Sequence, residues 1–392
     1  MQACPSYRLH QQETFSPRGR NQILRLALEG KIPLDPHDKL LQSTLRSCTL
    51  CGRCSQRCAG QIPTAQHVLE MRRALRLQVL PTLLYAFLNV RENHPRLFAR
   101  LARAALLFRR AGFIKLMRTL RITQLSPLTF LNHLDDILPA RISSLKKELR
   151  AQNISLHTED PQLIYVPSLE AQFLLPDIAA KTLALAQRKY RTMLWTDTPT
   201  GFFSYVYGDL RQSRCVLRRF IRRHAHTATG NLLLLTDSID VYLFLKRAPQ
   251  LFAGYKKWQL RAQHLAACTR FVTDVFPLPK KQNSSSVVQL ERGALFERQG
   301  TAFEQAQKIL YTFFEKNFVE CWYTDADVPA FGYTFVAPKE AAQIGLQAVE
   351  KLARKRTRKT VALSGLAVLE LNYLCKKFYP AAEATHFVHV DR

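Results

Sequence analysis

Four cysteines fall within eleven residues, Cys48, Cys51, Cys54 and Cys58, in the spacing C-x2-C-x2-C-x3-C. Thiolates at intervals of three can wrap one compact cluster of iron and sulfide, and Gly52 lets the chain turn tightly around it. This is the bacterial-ferredoxin run, which ordinarily carries proline directly after its last cysteine. Here Ala59 takes that place and proline first appears at Pro63. Structural zinc uses two separated C-x2-C pairs, whereas this chain has one compact group. The spacing predicts a 4Fe-4S cluster rather than zinc.

A fifth cysteine, Cys4, stands near the start as Met1-Gln2-Ala3-Cys4-Pro5, which has the form of the end of such a run. In two-cluster ferredoxins the fourth cysteine of each run ligates the other run's cluster. Two ligand sets are therefore open. Cys48, Cys51 and Cys54 are completed by Cys58, which spacing alone favours, or by Cys4, with Cys58 serving a second cluster. Cys215, Cys268, Cys321 and Cys375 lie far apart in the chain, and they are expected as buried small hydrophobes. Nine cysteines, an odd number with tight local spacing, argue for metal ligation in a reducing compartment and against a disulfide framework.

The chain that must position these residues has 392 residues, 47% of them hydrophobic, enough for two or three domains. Its 57 basic residues against 30 acidic give a net charge of +27. Such a surface calls for an anionic counterpart. No signal peptide is read at the start, and the longest apolar run, around "VLPTLLYAFLNV", is short for a bilayer crossing. "QILRLALEGK" predicts a helix stopped near Gly30 and Pro33, and "TAQHVLEMRRALRLQVL" another with Thr64 as N-cap. From 71 to 150 the pattern is helical, with sixteen Lys or Arg against four Asp or Glu. In "PRLFARLARAALLFRRAGF", Arg96, Arg100, Arg103 and Arg110 share one face, and Leu97, Leu101, Ala104 and Phe108 another. The second face is expected to pack on the protein itself; the other destination for such a face is a membrane surface or a partner.

Beyond residue 160, short apolar runs such as "QLIYVP", "NLLLLTD", "SVVQL" and "KTVALSG" alternate with helical stretches, which predicts α/β units. The polar break "PLPKKQNSSS" divides this half into two stretches of like layout, each with a Gly-aromatic loop, a helix, a buried strand and another helix. No Gly-rich phosphate loop, dinucleotide fingerprint or nucleophile–base pair is legible. His224 and His226, two apart, do not share a helical face and predict no metal site.

The order Cys4-Pro5-Ser6-Tyr7, Ser16-Pro17-Arg18-Gly19-Arg20, Leu28-Glu29-Gly30 and then Cys48 to Cys58 resembles the N-terminal half of the glycolate oxidase iron–sulfur subunit and its relatives. Among these are the anaerobic glycerol-3-phosphate dehydrogenase small subunit, lactate-utilisation iron–sulfur proteins and heterodisulfide reductase subunits. The resemblance implies that three further cysteines upstream of Met1 belong to the natural protein. Met1 is then expected to be an internal methionine taken for the start, or else the first cluster has been lost. It also implies two C-terminal modules, each with a Cys-Cys-Gly loop and a later cysteine pair. Here Pro199-Thr200-Gly201 and Val328-Pro329-Ala330 stand where those loops would be, and "TDSID" and "LSGLA" near the late elements hold no cysteine. Without thiolates the modules cannot hold iron or exchange disulfides. His386 and His389 occupy the place of a terminal histidine-bearing strand, with a structural role expected.

The expected architecture is multi-domain α/β. It comprises an α-helical ferredoxin-type domain over 1–78, truncated at its start if the upstream cysteines are missing, and a basic helical linker over 79–155. Two cysteine-rich-type modules that have lost their cysteines follow, over 156–280 and 285–392. The resemblance implies an iron–sulfur electron-transfer subunit of a flavin-linked 2-hydroxy-acid dehydrogenase. Such a subunit has no substrate site of its own and carries electrons from a flavoprotein partner towards membrane quinone through one 4Fe-4S cluster, or two if the natural chain is longer. The expected location is cytoplasmic, peripheral on the inner face of an anionic membrane. Nucleic acid is not the expected partner. The alternative is a non-catalytic assembly subunit with a structural or vestigial cluster.

Overall fold

The computed structural model describes residues 4–77, 82–124, 128, 130–140, 142–154, 160–227, 232–276, 288–290, 301–314, 318–319, 338–354 and 358–390. The break at 277–286, Cys321 and the Val328-Pro329-Ala330 element lie outside them. The fold is mixed α/β and mostly helical, built around two small parallel sheets.

The first sheet contains β1 (Leu163–Tyr165), β2 (Thr192–Leu194), β3 (Leu233–Thr236) and β4 (Thr269–Phe271), in the order β2-β1-β3-β4. The second contains β5 (Val288–Leu290), β6 (Phe318–Val319), β7 (Lys359–Ala362) and β8 (Glu383–His386), in the order β6-β5-β7-β8. Every pair is parallel. The two stretches of like layout therefore follow one topological plan, each reversing direction beside its first strand.

Apolar alternation explains how the first sheet is covered. Leu163, Tyr165 and Leu235 belong to one core, shared with Val288, Val361 and Phe387 of the second sheet's half. Ile164, Val166 and Leu234 belong to another, shared with Leu41, Leu45, Val68 and Leu69 of the N-terminal helices. A strand buried on both faces reads as a continuous apolar run, as "LIYV" does. The N-terminal domain thus packs on one face of the first sheet, and the second module on the other.

Ser16 accepts a hydrogen bond from the Gly19 amide and starts the helix Pro17–Leu28, five residues earlier than the "QILRLALEGK" pattern alone marks. Thr64 is the first helical residue of Thr64–Ala74 and not its cap, which is Pro63. Its hydroxyl instead accepts from Asn21 Nδ2 at 2.7 Å.

The helix Pro95–Arg110 corrects a second expectation. The residues it buries are Phe98, Ala99 and Ala102. Leu97, Leu101 and Phe108, expected to face the protein, are exposed. The helix that follows, Phe113–Thr119, buries no residue at all. Among the described residues no helix is long and apolar enough to cross a membrane.

Candidate functional site

The cysteine loop hangs between the helices Lys39–Arg46 and Thr64–Ala74. Two buried arginines build it. Arg72 donates through Nε and Nη2 to the Leu45 carbonyl, at 3.1 and 2.6 Å, and through Nη2 to the Cys48 carbonyl at 2.8 Å. Arg20 donates through Nε to the Thr44 carbonyl at 3.0 Å and through Nη2 to Ser6 Oγ and Ser47 Oγ, at 2.6 and 2.9 Å. Its Nη1 lies 3.7 Å from Cys4 Sγ. The Ser-Pro-Arg-Gly-Arg element is therefore a tie between Cys4 and the loop of Cys48. Gly19 is required within it, because a Cβ there would stand 2.0 Å from the Glu13 carbonyl oxygen.

Cys51 lies between two residues with left-handed backbone, Leu50 at φ 55° and Gly52 at φ 67°. Gly52 adopts this conformation freely; Leu50 does so at a cost, with its side chain fully buried to hold it. Cys54 has its thiol raised above its ordinary value by burial, and further by the neighbouring Cys48 and Cys4, while a bond from Thr64 opposes the rise. Cys48 and Cys4 therefore both act on Cys54 electrostatically. Cys58 differs: the backbone amides of Ile62, Gly60 and Gln61 pull its thiol below its ordinary value.

Among the described residues no group of three or more His, Cys, Asp or Glu side chains is arranged to hold a metal ion. A cluster of several irons spreads its thiolates more widely than one ion does, and its sulfurs need hydrogen-bond donors around them. The donor chemistry fits such a group: four cysteines, a loop turned by Leu50 and Gly52, and a guanidinium on Cys4.

The remaining cysteines divide. Cys268 and Cys375 are buried, and burial raises both thiols. Cys215 is exposed, contrary to expectation. His224 is buried with its Nε2 unpartnered, and its ring is 6.4 Å from that of His264.

Where the two modules meet, the residues standing near the expected late cysteines form a closed polar junction. The Ile239 amide donates to the Leu363 carbonyl at 2.9 Å. Asp237 accepts from Tyr165 Oη at 3.0 Å, from the Ser168 amide at 2.8 Å and from Ser168 Oγ at 2.7 Å. His386 Nε2 lies 3.1 Å from the Asp237 carbonyl and its Nδ1 accepts from the Val388 amide, so the neutral ring carries its proton on Nε2. Burial holds His386 down to about 3. His389 Nε2 reaches Asp177 Oδ2 at 3.0 Å, so both terminal histidines tie elements together. Glu170 is pushed up to about 7 by burial and by Asp237, and Glu92 to about 7 by burial against the pull of Arg91 and Arg219. These buried acids carried no sequence motif; only their placement after short apolar runs marks them.

A cavity of about 30 Å³ lies beside this junction, lined by Arg91, Ser168, Glu170, Thr200, Ser238 and Asp240. It stands outside the carboxyl ends of β1 and β3, where the strand order reverses and open α/β sheets place their ligands. Its volume holds about one water, far below the several hundred cubic ångströms of a substrate pocket. Comparison with protein-family models, with curated proteins and with solved structures finds no match to this chain.

Proposed function

We propose that this chain is an iron–sulfur electron-transfer subunit of the glycolate oxidase type. It would receive electrons from a flavoprotein that oxidises a 2-hydroxy acid and pass them towards membrane quinone. The observation that carries the reading is Arg20, which lies 3.7 Å from Cys4 Sγ and bonds Ser6, Thr44 and Ser47, and so ties Cys4 to the turn that leads into Cys48. It supports the ligand set Cys4, Cys48, Cys51 and Cys54, leaving Cys58 to a second cluster. When bound, a 4Fe-4S cluster supplies one-electron transfer at a potential set by hydrogen bonds and charge around its sulfurs. The chain's own contribution would be to hold the thiolates and place Arg20 beside Cys4.

A second reading, an assembly subunit whose cluster is structural, is favoured by the junction between the modules. The Asp237 carboxylate there is taken up by Ser168 and its backbone carbonyl by His386, and the space beside them is too small for a substrate. Iron and acid-labile sulfide per chain, measured on anaerobically purified protein, test the site. About four irons lost with Cys4→Ser and retained with Cys58→Ser are expected. Loss with Cys58→Ser alone would make the run self-contained, and no iron in the parent protein would remove the electron-transfer reading. Reduction of the cluster by the partner's substrate separates electron transfer from a structural role.

A further inference from the structure

A cleft of about 910 Å³ opens between the helices Thr64–Ala74 and Thr82–Asn93 on one side and Leu210–Thr227 on the other. That is the size of a small-molecule site. Six arginines line it against two acids, Glu70 and Asp209. Both acids are already engaged. Arg73 pairs with Glu70 at 2.6 Å, and Asp209 accepts from Tyr85 Oη at 3.3 Å and from the Gln212 amide at 2.9 Å. Among the described residues Arg76, Arg211 and Arg218 have no carboxylate partner.

Arg218 is the anomaly. Its Nε is buried without a hydrogen-bond partner, while its guanidinium is stacked 5.7 Å from the ring of Phe252, 5.7 Å from Tyr255 and 5.5 Å from Trp258. Arg214, one turn earlier, is fixed in the same way: Nε donates to the Leu251 carbonyl at 2.6 Å and the guanidinium lies 5.8 Å from the Tyr255 ring. Stacking removes the freedom a long side chain would lose on binding and leaves planar N–H edges that match phosphate oxygens two at a time. The rest of the lining is apolar or flat, including Leu77, Leu210 and the half-exposed Tyr255.

We propose that this cleft binds a nucleoside di- or triphosphate, its phosphates on the arginines of the Leu210–Thr227 helix and its base against the apolar and tyrosine wall. Three guanidiniums without a carboxylate in one cleft ask for an anion of several charges, and the volume and mixed lining ask for one that also carries a flat ring. The inference stands apart from the cluster and from the function proposed above.

Isothermal titration of the full chain at fixed physiological ionic strength tests it, with adenosine triphosphate, inorganic triphosphate and adenosine as separate ligands. Saturable one-to-one binding of the nucleotide is expected, at least tenfold tighter than that of inorganic triphosphate. Arg214→Gln with Arg218→Gln should weaken it at least tenfold, with the fold checked by circular dichroism. Should that pair fail to fold, the exposed pair Arg76→Gln with Arg211→Gln carries the same expectation. The proposal is overturned by no saturable binding, by equal affinity for inorganic triphosphate, or by affinity unchanged in the folded variants. Tighter binding of a single-stranded oligonucleotide, per nucleotide, would overturn it in favour of a nucleic-acid surface.

Discussion

Arg20 Nη1 stands 3.7 Å from Cys4 Sγ, while its other nitrogens reach Thr44, Ser6 and Ser47. Arg20 is 1% exposed, yet it meets two hydroxyls, a carbonyl and a thiol, and no carboxylate among the described residues. A buried guanidinium without a counter-charge is costly. Thiolates of a bound cluster would supply that charge.

Arg20→Gln is therefore expected to destabilise the N-terminal domain by at least about 2 kcal/mol, because several buried acceptors lose their donor at once. Iron retention should fall with it. Arg20→Lys should rescue little, since one ammonium cannot span Thr44, Ser6 and Ser47 as the fork does. Urea denaturation beside iron analysis checks this; a lysine variant with the parent's stability and iron would refute it.

Gly201, at φ 90°, would bring a Cβ within 2.7 Å of the Ser213 carbonyl oxygen. Ser213 Oγ also donates to the Gly201 carbonyl at 2.8 Å. Gly201→Ala should cost about 2 kcal/mol or more, from left-handed strain and a backbone clash together. Chemical denaturation should show the midpoint moving with its slope unchanged.

The local elements of the N-terminal seventy residues were legible because each has a nearby signature: a glycine at the turn beside Cys51 and the Ser-Pro-Arg-Gly-Arg element that opens a helix. The parallel sheets were legible as short apolar runs between helices, since strands buried on both faces lose their polar alternation. The face of Pro95–Arg110 was not. Phe98, Ala99 and Ala102 form the buried stripe, and small alanines give a weak periodic signal beside the leucines that lie outside. The junction of Asp237, Ser168 and His386 was also illegible, because residues 149 apart in sequence meet only once both sheets have formed.

Glu170 and Glu92 both contribute to the pH dependence of stability, as does the neighbouring Asp237, which burial also raises. Each glutamate keeps its proton to about pH 7 in the fold and loses it near the ordinary 4.5 when unfolded. Between those values the native state binds more protons, so stability is greatest on the acid side and falls as pH rises through 7. Each acid contributes on the order of 3 kcal/mol to that fall, at 1.4 kcal/mol per pKa unit. His386 works oppositely: held at about 3 in the fold, it costs stability as pH drops below 6.5. The double variant Glu92→Gln with Glu170→Gln should lose most of the fall between pH 5 and 7.5 and keep the acid limb. Urea midpoints at those two pH values decide it; an unchanged slope would show that both acids ionise in the fold.

Five exposed apolar residues fall within fourteen positions, and this gives the membrane reading its test. Leu107 is 65% exposed, Phe108 60%, Phe113 49%, Leu116 53% and Leu120 60%, within two helices and the C-cap of the second, which also carry Arg103, Arg110, Lys115 and Arg118. The nearby acids Asp135 and Asp136 are taken up by Arg109 and Arg118. An apolar ridge flanked by cations suits the headgroup boundary of an anionic bilayer, where leucine and phenylalanine enter the acyl region and each cation adds about 1 kcal/mol. Co-sedimentation of the full chain with phosphatidylserine-containing vesicles is expected, and little with neutral phosphatidylcholine. High salt should weaken the binding by screening the cations without abolishing it, since the apolar part is not screened. Leu107→Ser with Phe108→Ser should remove the salt-resistant part and leave thermal stability near the parent's, because neither side chain is buried. Binding unchanged in that variant would assign the ridge to a protein partner instead, and the flavoprotein would then be the first candidate to test against it.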